Sequence, residues 1–68
     1  MRPGYDIEDA VCIRESDSGK AILVRAPVFE ESEWIAKSQI TEDSEVYKTG
    51  TSGTLIVTEW LAEQKGWL

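Results

Sequence analysis

The chain has 68 residues, with thirteen acids against seven bases, one cysteine and no histidine. That length allows one small domain, at the size where a single core is only just sufficient, and the missing histidine removes Ser-His-Asp and Cys-His catalysis together with Cys/His zinc sites. A formal charge of -6 opposes nonspecific attachment to nucleic acid or anionic lipid, so direct duplex DNA binding is disfavoured.

No apolar run approaches the ~20 residues of a bilayer-spanning helix, and Met1-Arg2-Pro3-Gly4 leads into acids rather than an apolar export signal. The expected location is the cytoplasm, which also suits the lone Cys12, unable to form an internal disulfide. Cys12 lies within Ala10-Val11-Cys12-Ile13 and is expected to be a small buried hydrophobe.

In chain order, Tyr5 and Ile7 suggest a lead-in or edge strand after the break at Pro3-Gly4. A first full strand is expected over 10–15, with Val11 and Ile13 on one face, and Ser16-Asp17-Ser18-Gly19 closes it as a hairpin turn. The continuous apolar run Ala21-Ile22-Leu23-Val24 marks a central strand over 20–26, ended by Pro27. The connection 27–32 carries Val28 and Phe29, which either fold back over an open barrel end or protrude as a contact.

The central stretch Glu33-Trp34-Ile35-Ala36 alternates, placing Trp34 and Ala36 on one face and Glu33, Ile35 and Lys37 on the other. Lys37-Ser38-Gln39 fits a single 3₁₀ turn that lets Ile40 return to the core shared with Ile35. An acidic loop over 41–45 precedes a short fourth strand at Val46-Tyr47, a glycine-bearing turn over 48–53 and a fifth strand over 54–57. Thr58 is the expected N-cap of a helix over 59–65 with Gly66 beyond it. If Trp67 and Leu68 follow the helix direction, two apolar stripes are expected, Trp60-Gln64-Trp67 and Leu61-Lys65-Leu68, one of which packs on the sheet.

The fold class is therefore mainly β, a small antiparallel SH3-like barrel or curled sheet of four to five strands with one short C-terminal helix, in one domain over 1–68. No motif specifies an activity. Adjacent acids in loops are solvated charge, the phosphate-loop pattern is absent, and 41–45 lacks the ligand spacing of a calcium loop, so neither an enzyme nor a cofactor is expected.

Binding is the better expectation. Trp34 with Lys37, Ser38 and Gln39 supplies an aromatic face, a cation and polar partners suited to a nucleotide or oligonucleotide. Three tryptophans in so short a chain also suit a homodimer or a structural oligomerisation module.

The ordered combination of Ala21-Ile22-Leu23-Val24, Trp34-Ile35-Ala36-Lys37-Ser38-Gln39-Ile40 and Gly53-Thr54-Leu55-Ile56-Val57-Thr58-Glu59-Trp60-Leu61-Ala62 resembles a group of small, mostly uncharacterised phage and prophage proteins. The resemblance spans about residues 20–66 and implies a mobile-element origin and a small barrel, without implying an activity. By analogy of class it suggests an accessory protein that binds a host protein, a defence or nucleic-acid-processing factor. Its basic surface would meet Glu30, Glu31 and Glu33 on one loop and Glu42, Asp43 and Glu45 on another.

Overall fold

The computed structural model describes residues 4–68. It contains four antiparallel strands, β1 (Tyr5–Glu15), β2 (Ala21–Arg25), β3 (Glu33–Ala36) and β4 (Ser52–Val57), in the sheet order β3-β2-β1-β4, followed by helix α1 (Glu59–Gln64). The sheet is open and curled, with a short helix beside it; Pro3 and the residues before it lie outside the described chain.

The expected lead-in and first strand are one element. β1 pairs with β4 through its first half, Tyr5 opposite Val57 and Ile7 opposite Leu55, and with β2 through its second half, Cys12 opposite Val24 and Glu15 opposite Ile22. Two register shifts make this possible, one between Ile7 and Ala10 and one between Cys12 and Arg14. An extra residue in one strand bends it and increases its twist. Asp9 takes φ 56°, a conformation that aspartate tolerates better than most side chains.

The first bulge sends both Glu8 and Asp9 to solvent, so that Ile7, Ala10 and Cys12 all reach the core although Ile7 and Ala10 are three apart. The second places Ile13 and Arg14 together against Leu23. Val11 and Ile13 do share a face, but it is the outer one, 44% and 41% exposed, while Cys12 is buried.

The core gathers Ile7, Cys12, Ile22, Val24, Ile35, Val46, Leu55 and Val57, all fully buried, with Leu61 from α1. Each such aliphatic side chain contributes roughly 1.5–3 kcal/mol by leaving water. Lys37–Gln39 forms the expected 3₁₀ turn, after which Ile40 packs against this core and bridges Val57.

No strand forms at Val46-Tyr47. Instead, the segment 39–45 lies along β4 and meets its outward polar groups with a mixture of backbone and side chain. Thr58 N–H donates to Gln39 C=O at 2.9 Å, Thr41 N–H to Ile56 C=O at 2.9 Å, and Glu45 N–H to Thr54 C=O at 2.9 Å. Thr54 N–H donates to Glu45 Oε1 at 2.8 Å and Ile56 N–H to Ser44 Oγ at 3.2 Å. The Ser44 hydroxyl also donates to Val46 C=O at 2.9 Å and accepts from Val46 N–H at 3.2 Å. Side chains thus take the place of the ladder that a fourth strand at 46–47 would have made, and Val46 still reaches the core while Tyr47 stays exposed. The Glu45 side chain lies over Gly53, where a Cβ would collide with it.

The helix departs from expectation too. Thr58 caps it, its hydroxyl accepting from Leu61 N–H at 3.2 Å. The chain then reverses at Gly66, φ 78°, with Trp67 N–H donating to Ala62 C=O at 2.8 Å and Gly66 N–H to Glu63 C=O at 3.1 Å. This paired closure leaves the helix direction before Trp67, so neither expected stripe forms. Leu61 and Ala62 are the buried pair, Trp60 is 58% exposed, and Trp67 stacks instead on Phe29 at 4.9 Å and on Tyr5 at 6.1 Å. Of the loop pair, Phe29 folds back and Val28 protrudes, 69% exposed.

Ser44→Ala should cost about 1–3 kcal/mol, because it leaves the Ile56 N–H and the Val46 C=O without their partner in a buried setting. Urea denaturation measures this, and an unchanged midpoint would refute the role given to the hydroxyl.

Candidate functional site

The outer face of the sheet carries the chain's exposed apolar strand residues. Antiparallel register sets Arg14 opposite Leu23 and Leu23 opposite Trp34, so one row crosses β1, β2 and β3, with Ile13 beside Arg14 at the bulge. Val11 stands opposite Arg25 in the neighbouring row. Trp34 is 44% exposed, and the Arg14 guanidinium lies over its ring at 5.8 Å from the centroid, within cation–π range. A groove of about 580 Å³ is lined by Asp9, Val11, Ile13, Arg25, Pro27 and Phe29 among others.

Neither Arg14 nor Arg25 forms an ion pair among the described residues. The pattern is a mixed apolar and cationic surface on a chain whose net charge is -6.

The residues proposed from the sequence around Trp34 are not assembled beside it. Lys37 pairs with the Glu15 carboxylate. Gln39 Oε1 accepts from the Thr58 hydroxyl at 2.6 Å, tying the 3₁₀ turn to the start of the helix. Ser38 is exposed on that turn. Lys37 and Glu42 instead line a cavity of about 450 Å³ with Ile40, Thr41, Ser44 and Tyr47.

The acids divide in the same way. Glu33 pairs with Lys65 at 3.0 Å, and Glu45 is committed to Thr54. Glu30 and Glu31 line a smaller cavity of about 270 Å³ with Arg25 and Phe29. Glu42 and Asp43 are exposed on the 41–45 segment, each engaged in an interaction of its own. The two groups lie at different ends of the sheet, one joining β2 to β3 and the other following the 3₁₀ turn.

Sequence reasoning missed Arg14, Glu15 and Arg25. Glu15 follows the second bulge and so points with Ile22 rather than with the outer face, which brings it to Lys37. The Lys37 hydrogen bond above all, opposed by burial and supported by the Lys37 charge and then by Thr49 N–H and the nearby Lys48, holds its carboxyl below the usual range. Burial, with the Glu15 charge behind it, pushes the Cys12 thiol up, so this cysteine is a poor nucleophile in the folded chain.

Comparison with family models, curated proteins and solved structures finds no match. The reading of the surface therefore rests on its own geometry.

Because the folded Glu15 carboxyl sits below its unfolded value, its pairing favours the fold above the ordinary carboxylate range and fades as pH falls through the depressed folded value. Glu15→Gln should consequently lose less stability than the parent chain between neutral and strongly acid pH. Urea midpoints at the two extremes check this; parallel losses in both proteins would count against the assignment. Cys12 should react with a thiol reagent at least about tenfold more slowly in native buffer than in concentrated urea, followed by the absorbance of the released chromophore.

Proposed function

We propose that the chain is a non-catalytic accessory protein that works by binding another protein, a host factor if the resemblance to small phage and prophage proteins reflects its origin. The contact is the outer face of the sheet around Trp34. The observation that carries this reading is the row Ile13, Arg14, Leu23 and Trp34, with Val11 and Arg25 alongside. It places exposed apolar side chains and two arginines that form no ion pair among the described residues on one face of an acidic chain.

Aromatic and arginine side chains are the residue types that dominate protein interfaces, and a charged periphery around an apolar centre orients an approaching partner. The contact thus differs from the acidic loops to which composition points. Glu33 and Glu45 are occupied within the fold, and Glu30 and Glu31 sit at the edge of the arginine-bearing face.

A second reading, single-stranded nucleic acid, is favoured by the Arg14–Trp34 contact alone, since an indole with a guanidinium beside it is a stacking platform for a base. Lys37 and Gln39 contribute nothing to it while tied to Glu15 and Thr58.

Photo-crosslinking residues placed singly at positions 13, 34, 42 and 63 of the folded chain, in bacterial lysate, test the protein-binding reading. Adducts to a discrete protein are expected from 13 and 34 and not from 63. Equal labelling from all four positions, or labelling from 42 alone, would remove the sheet face as the contact. Trp34→Ala should weaken the recovered interaction by about 2 kcal/mol or more if Trp34 is a central anchor.

A further inference from the structure

We infer that the bare edge of β3 takes up an extended acidic segment of a partner protein as an added strand. This rests on the protein-binding reading above and supplies the chemistry of the partner.

The two edges of the sheet differ. Along β4, the outward N–H and C=O groups of Thr54 and Ile56 are all met by the segment 39–45. Along β3 nothing comparable is present among the described residues. Lys37 N–H donates to Lys20 C=O at 2.8 Å, and in an antiparallel ladder every second residue turns its N–H toward the neighbour. Ile35 N–H therefore faces β2, whereas those of Trp34 and Ala36 face away from it. The Ala36 carbonyl starts the 3₁₀ turn. What remains outward is the N–H and C=O of Trp34 and the N–H of Ala36, on two exposed residues. A row of unmet donors and acceptors on an edge strand is a template for another strand.

Charge selects the occupant. Arg14, Lys20 and Arg25, which form no ion pair among the described residues, lie near β3, whereas Lys37 and Lys65 are matched by Glu15 and Glu33. Arg14 lies over Trp34, Lys20 is joined to Lys37 at one end of the strand, Lys65 pairs with Glu33 at the other, and Arg25 ends the neighbouring strand.

A DNA backbone offers acceptors but no donor for the Trp34 carbonyl. An acidic peptide strand answers both the charge and the alternation of donors and acceptors, and its alternate apolar side chains lie on Trp34 and Leu23.

The probe is a displayed library of random decapeptides, selected against the full folded chain. Enriched peptides should be acidic, with β-branched or aromatic residues at every second position. Saturation with such a peptide should slow hydrogen exchange at the Trp34 and Ala36 amides by about tenfold or more, while Ile35, already bonded to β2, changes little.

Ala36→Pro supplies the control. The φ of Ala36 is -66°, which proline adopts without strain, and its N–H is not needed by β2, so the variant folds while its edge is blocked. It should bind the peptide at least about tenfold more weakly with an unchanged thermal transition.

The proposal is overturned if no peptide is enriched or if the enriched peptides are basic. It also falls if affinity survives Ala36→Pro in a folded variant. Saturable binding of an oligodeoxythymidine without peptide binding would assign the edge to nucleic acid. A peptide-free dimer with protected Trp34 and Ala36 amides would assign it to a second copy. Peptide binding that perturbs Ile13 and the Trp34 indole but leaves the two edge amides exchanging freely refutes strand addition and leaves protein binding through the sheet face standing. Loss of the crosslinks from 13 and 34 refutes that broader reading instead.

Discussion

The structure depends on how the polar edge of β4 is satisfied. A buried or half-buried N–H without a partner costs about as much as a lost hydrogen bond, and a chain this small has little stability in reserve. Ser44 and Glu45 meet the Ile56 and Thr54 amides with side-chain oxygens, while Thr41 and Gln39 supply backbone groups around them. The same segment delivers Ile40 and Val46 to the core. The curl of the sheet follows, because Ile40 can bridge Val57 only if the two outer strands are drawn toward one another.

The alternation in Glu33-Trp34-Ile35-Ala36 was legible and so was the 3₁₀ turn after it, since period-2 burial and poor strand formers are local signals. The full length of β1 was not. Its core residues Ile7, Ala10 and Cys12 are spaced by three and then two, and only a bulge at Glu8-Asp9, itself dictated by pairing with a strand far along the chain, reconciles them with one face. The absent strand at Val46-Tyr47 has a similar cause, as β propensity there is overridden by the Ser44 and Glu45 side chains. The helix stripes failed because Gly66 turns Trp67 toward Phe29 and Tyr5, a tertiary choice that periodicity does not encode.

The candidate site shows the same division. The place of Trp34 on an amphipathic strand is legible in the sequence, but its neighbours come from across the sheet, at Arg14 and Leu23, and not from Lys37, Ser38 and Gln39 along the chain. Sequence proximity misled because Lys37 lies beyond the end of the strand, where the turn swings it to Glu15. Composition counts charge, while geometry commits Glu33 and Glu45 to partners within the chain.

β1 is shared between two ladders, and its first half finds its partner only in residues nearly fifty positions later, Ile7 against Leu55. Contacts of such large sequence separation must overcome loop-closure entropy before they reward the chain, which slows folding. During synthesis the hairpin of β1 and β2 can form as soon as it leaves the ribosome, yet Ile7 and Ala10 stay uncovered until β4 has emerged as well. Assembly of this domain is therefore a late, nearly all-or-none event for the nascent polypeptide, and a chain stopped before Ser52 would leave the inward-facing Ile7 and Ala10 of its longest strand open to whatever chaperone or protease waits at the tunnel exit.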